Sequence, residues 1–318
     1  MSLKPGKVMF IDSVHPILWE KLTDLGFHCF DFTKKNKGEI SIQIPDFQGV
    51  VIRSKFIFDD KLMDLSTNLQ FIARSGSGLE NIDTQYAKQK HIKCFNSPEG
   101  NRDAVAEHCL GMILSLFNNL IRCNLEVKNG KWNRETNRGI ELKGKTIGIL
   151  GYGKMGEAFA QRLKGFDVKV IALDNLRVDY SSDIVTEVKE KEFFEACDVL
   201  SLHVNYSEKN FHLINSEYLS RFKKNIYIIN TSRGKSLHTK DLITHLETGK
   251  ILGACLDVLE MESSSFEEFI TKENESTFNK LASFENVILS PHVAGWTVES
   301  NVKLGEELAK KIKAFYSL

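Results

Sequence analysis

The sequence predicts an α/β chain of two domains, each built on a parallel sheet, and three observations lead there. At 318 residues the chain exceeds what one hydrophobic core usually organises. Strand-like apolar runs alternate with helical stretches almost throughout, the pattern of a parallel α/β sheet. In the second half, a glycine-rich turn lies directly between one such strand and one such helix.

Taken in order, the first series runs KVMFID, a helix over Pro16 to Leu25, FHCFDF, GVVIRS, a helix near Asp59 to Leu65, then LQFIARS. Asn101 is placed to cap a helix that begins near Arg102. The run AVAEHCLGMILSLFNNLIR is apolar on nearly every face, so it reads as one helix over 102–121, buried between layers and marking the domain junction. A second series starts at Lys145 with KTIGILGYGKMG and continues through VKVIALD, CDVLSLHV, IYIINTSRG, GACLDVLE and NVILSPHVAG. Each of these strands ends in polar or glycine-rich residues, and in such sheets the ligand crevice lies at the carboxyl ends. From about 297 onward the chain reads as one terminal amphipathic helix, and the biased stretch ESSSFEEF reads as a loop.

Composition narrows the function. Apolar residues make up 42% and charged residues 26%, ordinary globular usage. Forty-two basic residues balance 42 acidic ones, so no net field draws nucleic acid or an anionic membrane, and neither partner is expected. The N-terminal apolar run ends at Asp12, too short for a signal sequence or a bilayer span, so a cytoplasmic protein is expected. Six scattered cysteines include no C-x-x-C pair; they read mostly as small buried residues, and no metal site is expected.

The most specific local signal is Gly151-Tyr152-Gly153-Lys154-Met155-Gly156, between TIGIL and the helical EAFAQRLKGF. The first glycine allows the tight turn, the second lets backbone approach a pyrophosphate, and the third lets helix and strand pack closely. The next strand, VKVIALD, ends in Asp174, whose carboxylate can accept from both ribose hydroxyls and would repel a 2′-phosphate. This is the fingerprint of a Rossmann domain binding NAD.

Three ionisable residues then stand at later strand ends: Arg233, Glu262 and His292. A guanidinium can hold a carboxylate in a bidentate fork. An imidazole can take or return a hydroxyl proton near neutral pH, and a nearby carboxylate would orient it and favour its charged form. Taken singly, each has a duller account: a salt-bridge arginine, a solvated loop acid, a structural histidine. Those accounts weaken when all three follow one dinucleotide fingerprint.

Through six ordered blocks the sequence resembles the D-2-hydroxyacid dehydrogenases: IARSGSGLENID (72–83), FNSPEGNRDAVAEH (95–108), ILGYGKMG (149–156), IINTSRG (228–234), GACLDVLEME (253–262) and ILSPHVAGWT (288–297). The resemblance implies that Arg233, Glu262 and His292 form the catalytic set. It puts Asp257 at the nicotinamide amide, with a strand-end cap as the alternative, and His203, Thr231, Ser232 and Gly295 along the cofactor. Ser54, Gly76, Ser77 and Gly78 match loops that hold the substrate carboxylate. Lys55, Arg74 and Arg134 match positions that face the substrate in the family's phosphoglycerate dehydrogenases, where more than one cation would suit a phosphate. The alternative for these three is surface charge.

The family further implies a flavodoxin-like outer substrate domain at 1–101 plus 291–318, with the Rossmann domain at 102–290 inserted into it, and a homodimer packed partly through helix 102–121. No regulatory domain is expected beyond the terminal helix. Two departures stand out: Asn205 where the family's His-x-Pro loop has proline, and Ser263 where proline usually follows the glutamate, which implies a more mobile loop there. The expected function is hydride transfer between NAD and a small 2-hydroxy acid, 3-phosphoglycerate being one candidate and a glyoxylate/hydroxypyruvate-type reductase the alternative. Formate-type oxidation would place glutamine at Glu262. An NAD-sensing corepressor module shares the fold and the ionisable set, but carries an added peptide cleft and tails.

Overall fold

The computed structural model describes residues 4–262 and 274–318, which fall into two compact units: 4–102 with 296–318, and 103–262 with 274–295. Among the described residues, the first unit holds a five-stranded sheet of β1 (Lys7–Phe10), β2 (His28–Asp31), β3 (Gly49–Ile52), β4 (Phe71–Arg74) and β5 (Lys93–Phe95). All pairs are parallel, in the order β2-β1-β3-β4-β5, which is the flavodoxin-like order.

Helices α1 (Pro16–Asp24), α2 (Lys37–Gln43), α3 (Asp60–Leu65) and α4 (Thr84–Gln89) connect these strands. Their starts follow local chemistry. Asn36 and Glu39 form a capping box for α2, while Asp59 and Asp83 cap α3 and α4 through their carboxylates. Both sheet faces are covered, so strand residues alternate between two cores. Met9, Ile11, Val50 and Ile52 enter one; Val8, Phe10, Val51 and Phe71 enter the other, with Leu308, Ile312 and Tyr316. This two-sided burial is why the strands read as continuous apolar runs.

Helix α5 runs over Pro98–Phe117 and α6 over Leu120–Lys128. Two expectations are corrected here. The helix starts at Pro98, whose fixed φ suits a first helical position, so Asn101 lies inside the first turn instead of capping it. Nor is 102–121 one helix: Asn119 adopts a left-handed φ of 51°, and the chain turns by 59° between α5 and α6. Among the described residues, no single helix is long and apolar enough to cross a membrane.

The second unit carries, among the described residues, a seven-stranded parallel sheet: β6 (Thr146–Leu150), β7 (Lys169–Leu173), β8 (Thr186–Glu187), β9 (Val199–Leu202), β10 (Ile226–Asn230), β11 (Ile251–Leu256) and β12 (Val287–Leu289). Its order, β12-β11-β10-β9-β6-β7-β8, is the doubly wound dinucleotide-binding order with one strand added at the far edge. Helices α7 (Lys154–Arg162), α8 (Glu190–Ala196), α9 (Ser216–Ser220), α10 (Thr239–Glu247) and α11 (Glu275–Ala282) connect its strands.

The terminal helix α12 (Val298–Tyr316) falls in the first unit. A Thr297/Ser300 capping box opens it, and Lys311 ties it to Glu99 at 2.7 Å. Cysteines are buried less than expected: Cys109, Cys197 and Cys255 are buried, while Cys29, Cys94 and Cys123 are partly exposed. Most of ESSSFEEF, Ser263 included, lies outside the described residues.

Candidate active site

The parallel register of the second sheet places one row of residues in line across six strands: Leu173, Leu150, Leu202, Asn230, Leu256 and Leu289. The residue after each row member is therefore Asp174, Gly151, His203, Thr231, Asp257 and Ser290. Segments more than a hundred residues apart in sequence thus begin their loops at one sheet edge.

At Gly151 the backbone takes φ +92°, and a side chain there would strike the His203 carbonyl at 2.8 Å. A Cβ at Gly156 would lie 2.4 Å from the Gly151 carbonyl, whereas at Gly153 it would meet nothing within 4 Å. That is the division of labour a pyrophosphate cradle needs: two positions closed by backbone and a middle one left open at the N-terminus of α7. Tyr152 is buried, Met155 packs on the core, and Lys154 is exposed.

Asp174 accepts from the Tyr152 amide at 2.6 Å and from the Leu176 and Arg177 amides at 2.7 and 2.9 Å. Burial by itself would raise its carboxyl; these three N–H groups and Arg177 instead hold it below the usual carboxylate range. Ionised, it keeps lone pairs for ribose hydroxyls. The His203 imidazole, hydrogen-bonded to Ser201 and packed on Phe159, is pushed down to about 4 by desolvation and stays neutral.

The loop after β10 is organised by Asn230, a fully buried residue that sequence reading passed over. Its Oδ1 accepts from the Ser232 amide at 3.1 Å and hydroxyl at 2.8 Å, and its Nδ2 donates to the Arg233 carbonyl. Thr231 meets Cys109 at 3.1 Å, and Arg233 donates to the Ser232 carbonyl. The signal available was an amide ending an otherwise aliphatic buried strand. No side chain fits at Gly234, where a Cβ would lie 1.9 Å from the Leu259 carbonyl, so the Arg233 turn and the turn leading to Glu262 are packed backbone to backbone.

His292 and Glu262 are brought together: Nδ1 lies 2.6 Å from Oε2, with the pair largely buried. Glu262 also accepts from the Leu259 amide through its other oxygen. His292 has φ 55°, uncommon for a non-glycine residue, and its amide bonds the Asp257 carbonyl at 2.7 Å. Asp257 is 1% exposed, and its carboxylate accepts from Ser290 Oγ (2.6 Å) and the amides of Val293 (2.9 Å) and Ala294 (2.8 Å). It therefore clamps the loop that carries His292 and precedes Gly295. His108 joins this cluster, 2.9 Å from Ser290 Oγ, and was also not anticipated.

In the first unit, the strand-end loop 75–78 contains Gly76, at φ +153°, where a Cβ would fall 2.4 Å from Arg74 Nη1. Arg74 is buried and donates to the Arg53 carbonyl; Ser77 Oγ bonds Asn101 at 2.6 Å; Ser54 and Gly78 are partly exposed. Lys55 Nζ is held by the carbonyls of Thr33 (2.5 Å) and Ile11 (3.3 Å). Arg134, in the second unit, sits in an exposed turn.

A doubly wound sheet with this glycine turn, and an imidazole–carboxylate pair in the loops that follow the same strand-end row, defines a dinucleotide-dependent dehydrogenase. Residues 110–294 match the family model described as D-isomer specific 2-hydroxyacid dehydrogenase, NAD binding domain. A hydroxypyruvate reductase of Thermotoga maritima is 35% identical over 87% of this chain and 87% of its own length. The human D-3-phosphoglycerate dehydrogenase is 30% identical over 95% of this chain, which spans only 55% of that protein. Among solved structures, a D-lactate dehydrogenase from Aquifex aeolicus, complexed with NAD and lactic acid, superposes with a TM-score of 0.82 at 28% identity, over 98% of this chain and 95% of that one. The chain belongs to the D-isomer-specific 2-hydroxyacid dehydrogenase family. It is an NAD-dependent oxidoreductase that moves a hydride between NAD and a small 2-hydroxy or 2-oxo acid.

The Asp257 clamp has a measurable consequence. Asp257→Ala removes the buried acceptor of three donors, from Ser290, Val293 and Ala294, and should lower unfolding stability by about 2–4 kcal/mol. Urea titration of the nucleotide-free protein reads this directly. An unchanged midpoint would show that the 290–294 loop is held by something else.

Proposed function

We propose that His292 is the acid/base, Glu262 its orienting carboxylate and Arg233 the clamp on the substrate carboxylate; the 2.6 Å contact between His292 Nδ1 and Glu262 Oε2 carries this reading. Glu262 orients the ring through Nδ1, and this reading assigns Nε2 to the substrate. During reduction it gives its proton to the C2 oxygen, and during oxidation it takes the hydroxyl proton back. Glu262 stabilises the imidazolium between these steps, and the guanidinium fork of Arg233 fixes which face of C2 is presented.

NAD, when bound, supplies the hydride donor or acceptor. The residues suited to hold it are the 151–156 turn for the pyrophosphate, Asp174 for the ribose, and His203, Thr231, Ser232, Asp257 and Gly295 beyond. In the same reading the 76–78 loop and Ser54 offer N–H and hydroxyl groups to the substrate carboxylate.

His292→Ala should lower kcat by about 10²- to 10⁴-fold with NADH binding nearly intact, as removal of a proton relay does. Arg233→Ala should damage KM and kcat together, since the carboxylate is held in ground and transition states alike. Near wild-type turnover by the His292 variant would end the assignment.

For the substrate, the proposal is a short unphosphorylated 2-oxo acid of hydroxypyruvate or glyoxylate size. What supports it is that Lys55, one of the three cations matched to a phosphate, spends its ammonium on two backbone carbonyls. Phosphoglycerate is the second reading, favoured by buried Arg74. A panel of 2-oxo acids scored by kcat/KM separates them: hydroxypyruvate and glyoxylate should exceed phosphohydroxypyruvate. If the phosphorylated acid wins, and Arg74→Ala and Arg134→Ala raise its KM several-fold while sparing glyoxylate, the first substrate reading is wrong.

A homodimer belongs to the same proposal. Leu120, Ile121, Leu125 and Val127 on α6 are each at least half exposed, and Ile121 and Leu125 line a groove of about 480 Å³ with Phe284 and Ile288. Exposed apolar residues gathered on one short helix beside a groove that also carries Arg122, Glu126 and Glu285 suit contact with a second copy of the chain. Leu125→Glu should shift the light-scattering mass from two chains toward one. A monomeric native protein would contradict this. Cytoplasmic residence, without nucleic-acid or membrane partners, is supported by six free thiols and by balanced charge.

A further inference from the structure

His212, in the segment between β9 and α9, His238, immediately before α10, and Glu260, after β11, each bring one ligand atom to within 4.8 Å of the other two. None belongs to the proposed hydride-transfer machinery. All three are half-buried, and the rings of His212 and His238 lie 4.5 Å apart. Each already has a partner that fixes its orientation. His212 Nε2 contacts Glu260 Oε1 at 2.7 Å, and Phe211 stacks on the His212 ring at 3.9 Å. Glu260 Oε2 accepts from the Thr239 amide at 2.8 Å, which leaves Oε1 facing the imidazole.

His238 Nδ1 lies 3.0 Å from Asp241 Oδ2, an oxygen that also accepts from the Ser216 amide. A carboxylate behind one ring nitrogen, leaving the other as a basic lone pair, is the arrangement that supports metal-bound histidines.

We propose that His212, His238 and Glu260 form a binding site for one divalent transition-metal ion of the Zn²⁺ type. Tetrahedral Zn²⁺ with ligands at about 2.0–2.1 Å separates adjacent donor atoms by roughly 3.3 Å. One donor pair lies at 2.7 Å and all three donors lie within 4.8 Å of one another, so the three are gathered on the scale of that separation. Two imidazoles with one carboxylate suit Zn²⁺, Ni²⁺ or Cu²⁺ and disfavour Mg²⁺ and Ca²⁺, which take oxygen ligands. Three protein ligands leave a fourth position for water. The ion would replace the proton between His212 and Glu260 and pin the turn 259–262. The other end of that turn carries Glu262, so stabilisation of this segment is the expected result.

The missing C-x-x-C spacing had argued against any metal site. The donors here come from three separated segments, and only the fold assembles them.

The test uses the full chain, stripped with chelator, and ZnCl₂ as the probe. Calorimetric titration should show one tight equivalent, and Zn²⁺ should raise the thermal midpoint where Mg²⁺ does not. The double variant His212→Gln/His238→Gln should lose both effects, with an unchanged metal-free melting curve reporting its fold. Asp241→Asn, which leaves all three ligands in place and removes the carboxylate behind His238, should weaken the tight equivalent by about 10- to 100-fold. His91→Ala, at an exposed histidine elsewhere, should change nothing. No tight equivalent in the native chain, or one kept by the double variant on cysteines or other groups, would overturn the proposal.

Discussion

Parallel register is the constraint on which the rest of this protein depends. Because β6, β7, β9, β10, β11 and β12 pair in line, their last sheet residues form a single row, and every loop that follows starts at the same edge. A shift of one residue in any strand would exchange the side chains packed into the two cores, so close packing on both sides of the sheet enforces the row. The glycine turn, Asp174, the Arg233 loop and the Asp257–His292 segment are neighbours for that reason.

Strand ends place loops but do not shape them. Two buried polar residues do that here: Asn230 folds the 231–233 segment back on itself, and Asp257 gathers the amides of Val293 and Ala294 with the Ser290 hydroxyl. Both sit one layer beneath the ionisable residues. Their hydrogen bonds are satisfied in a low-dielectric setting, where an unmade bond is expensive, so each loop has one well-defined conformation. His292 can then hold a left-handed backbone that isolated histidine would rarely adopt.

The same physics explains which parts of the molecule were legible in advance. Apolar runs of four to six residues bounded by polar punctuation marked ten of the twelve described strands; β5 and β8, short and only partly apolar, carried too little pattern. Helix starts were readable where a side chain caps locally, as at Asp59 and Thr297. Asn101 mimicked such a cap, yet Pro98 had already begun the helix, and its side chain instead accepts from Ser77. The break at Asn119 was invisible because both flanking stretches are apolar, and periodicity is insensitive to one left-handed residue between two helices. The contacts of Lys55 with the Thr33 and Ile11 carbonyls were not legible, because a sequence does not show which carbonyls a long flexible side chain reaches.

What the sequence by itself determined is therefore what local chemistry controls: alternation of strand and helix, the glycine turn with Asp174 after the next strand, and the kinds of ionisable residue that end the later strands. Glycine positions are forced by backbone collisions only a few ångströms away, so they leave a mark that can be read without coordinates. The tertiary structure decided what depends on distance through space. It set the pairing of His292 with Glu262, the use of Asp257 as a loop clamp, and the meeting of His212, His238 and Glu260. Those contacts join residues 22 to 48 positions apart along the chain, across separate strands whose lateral order is set by the packing of the whole sheet and not by any single segment.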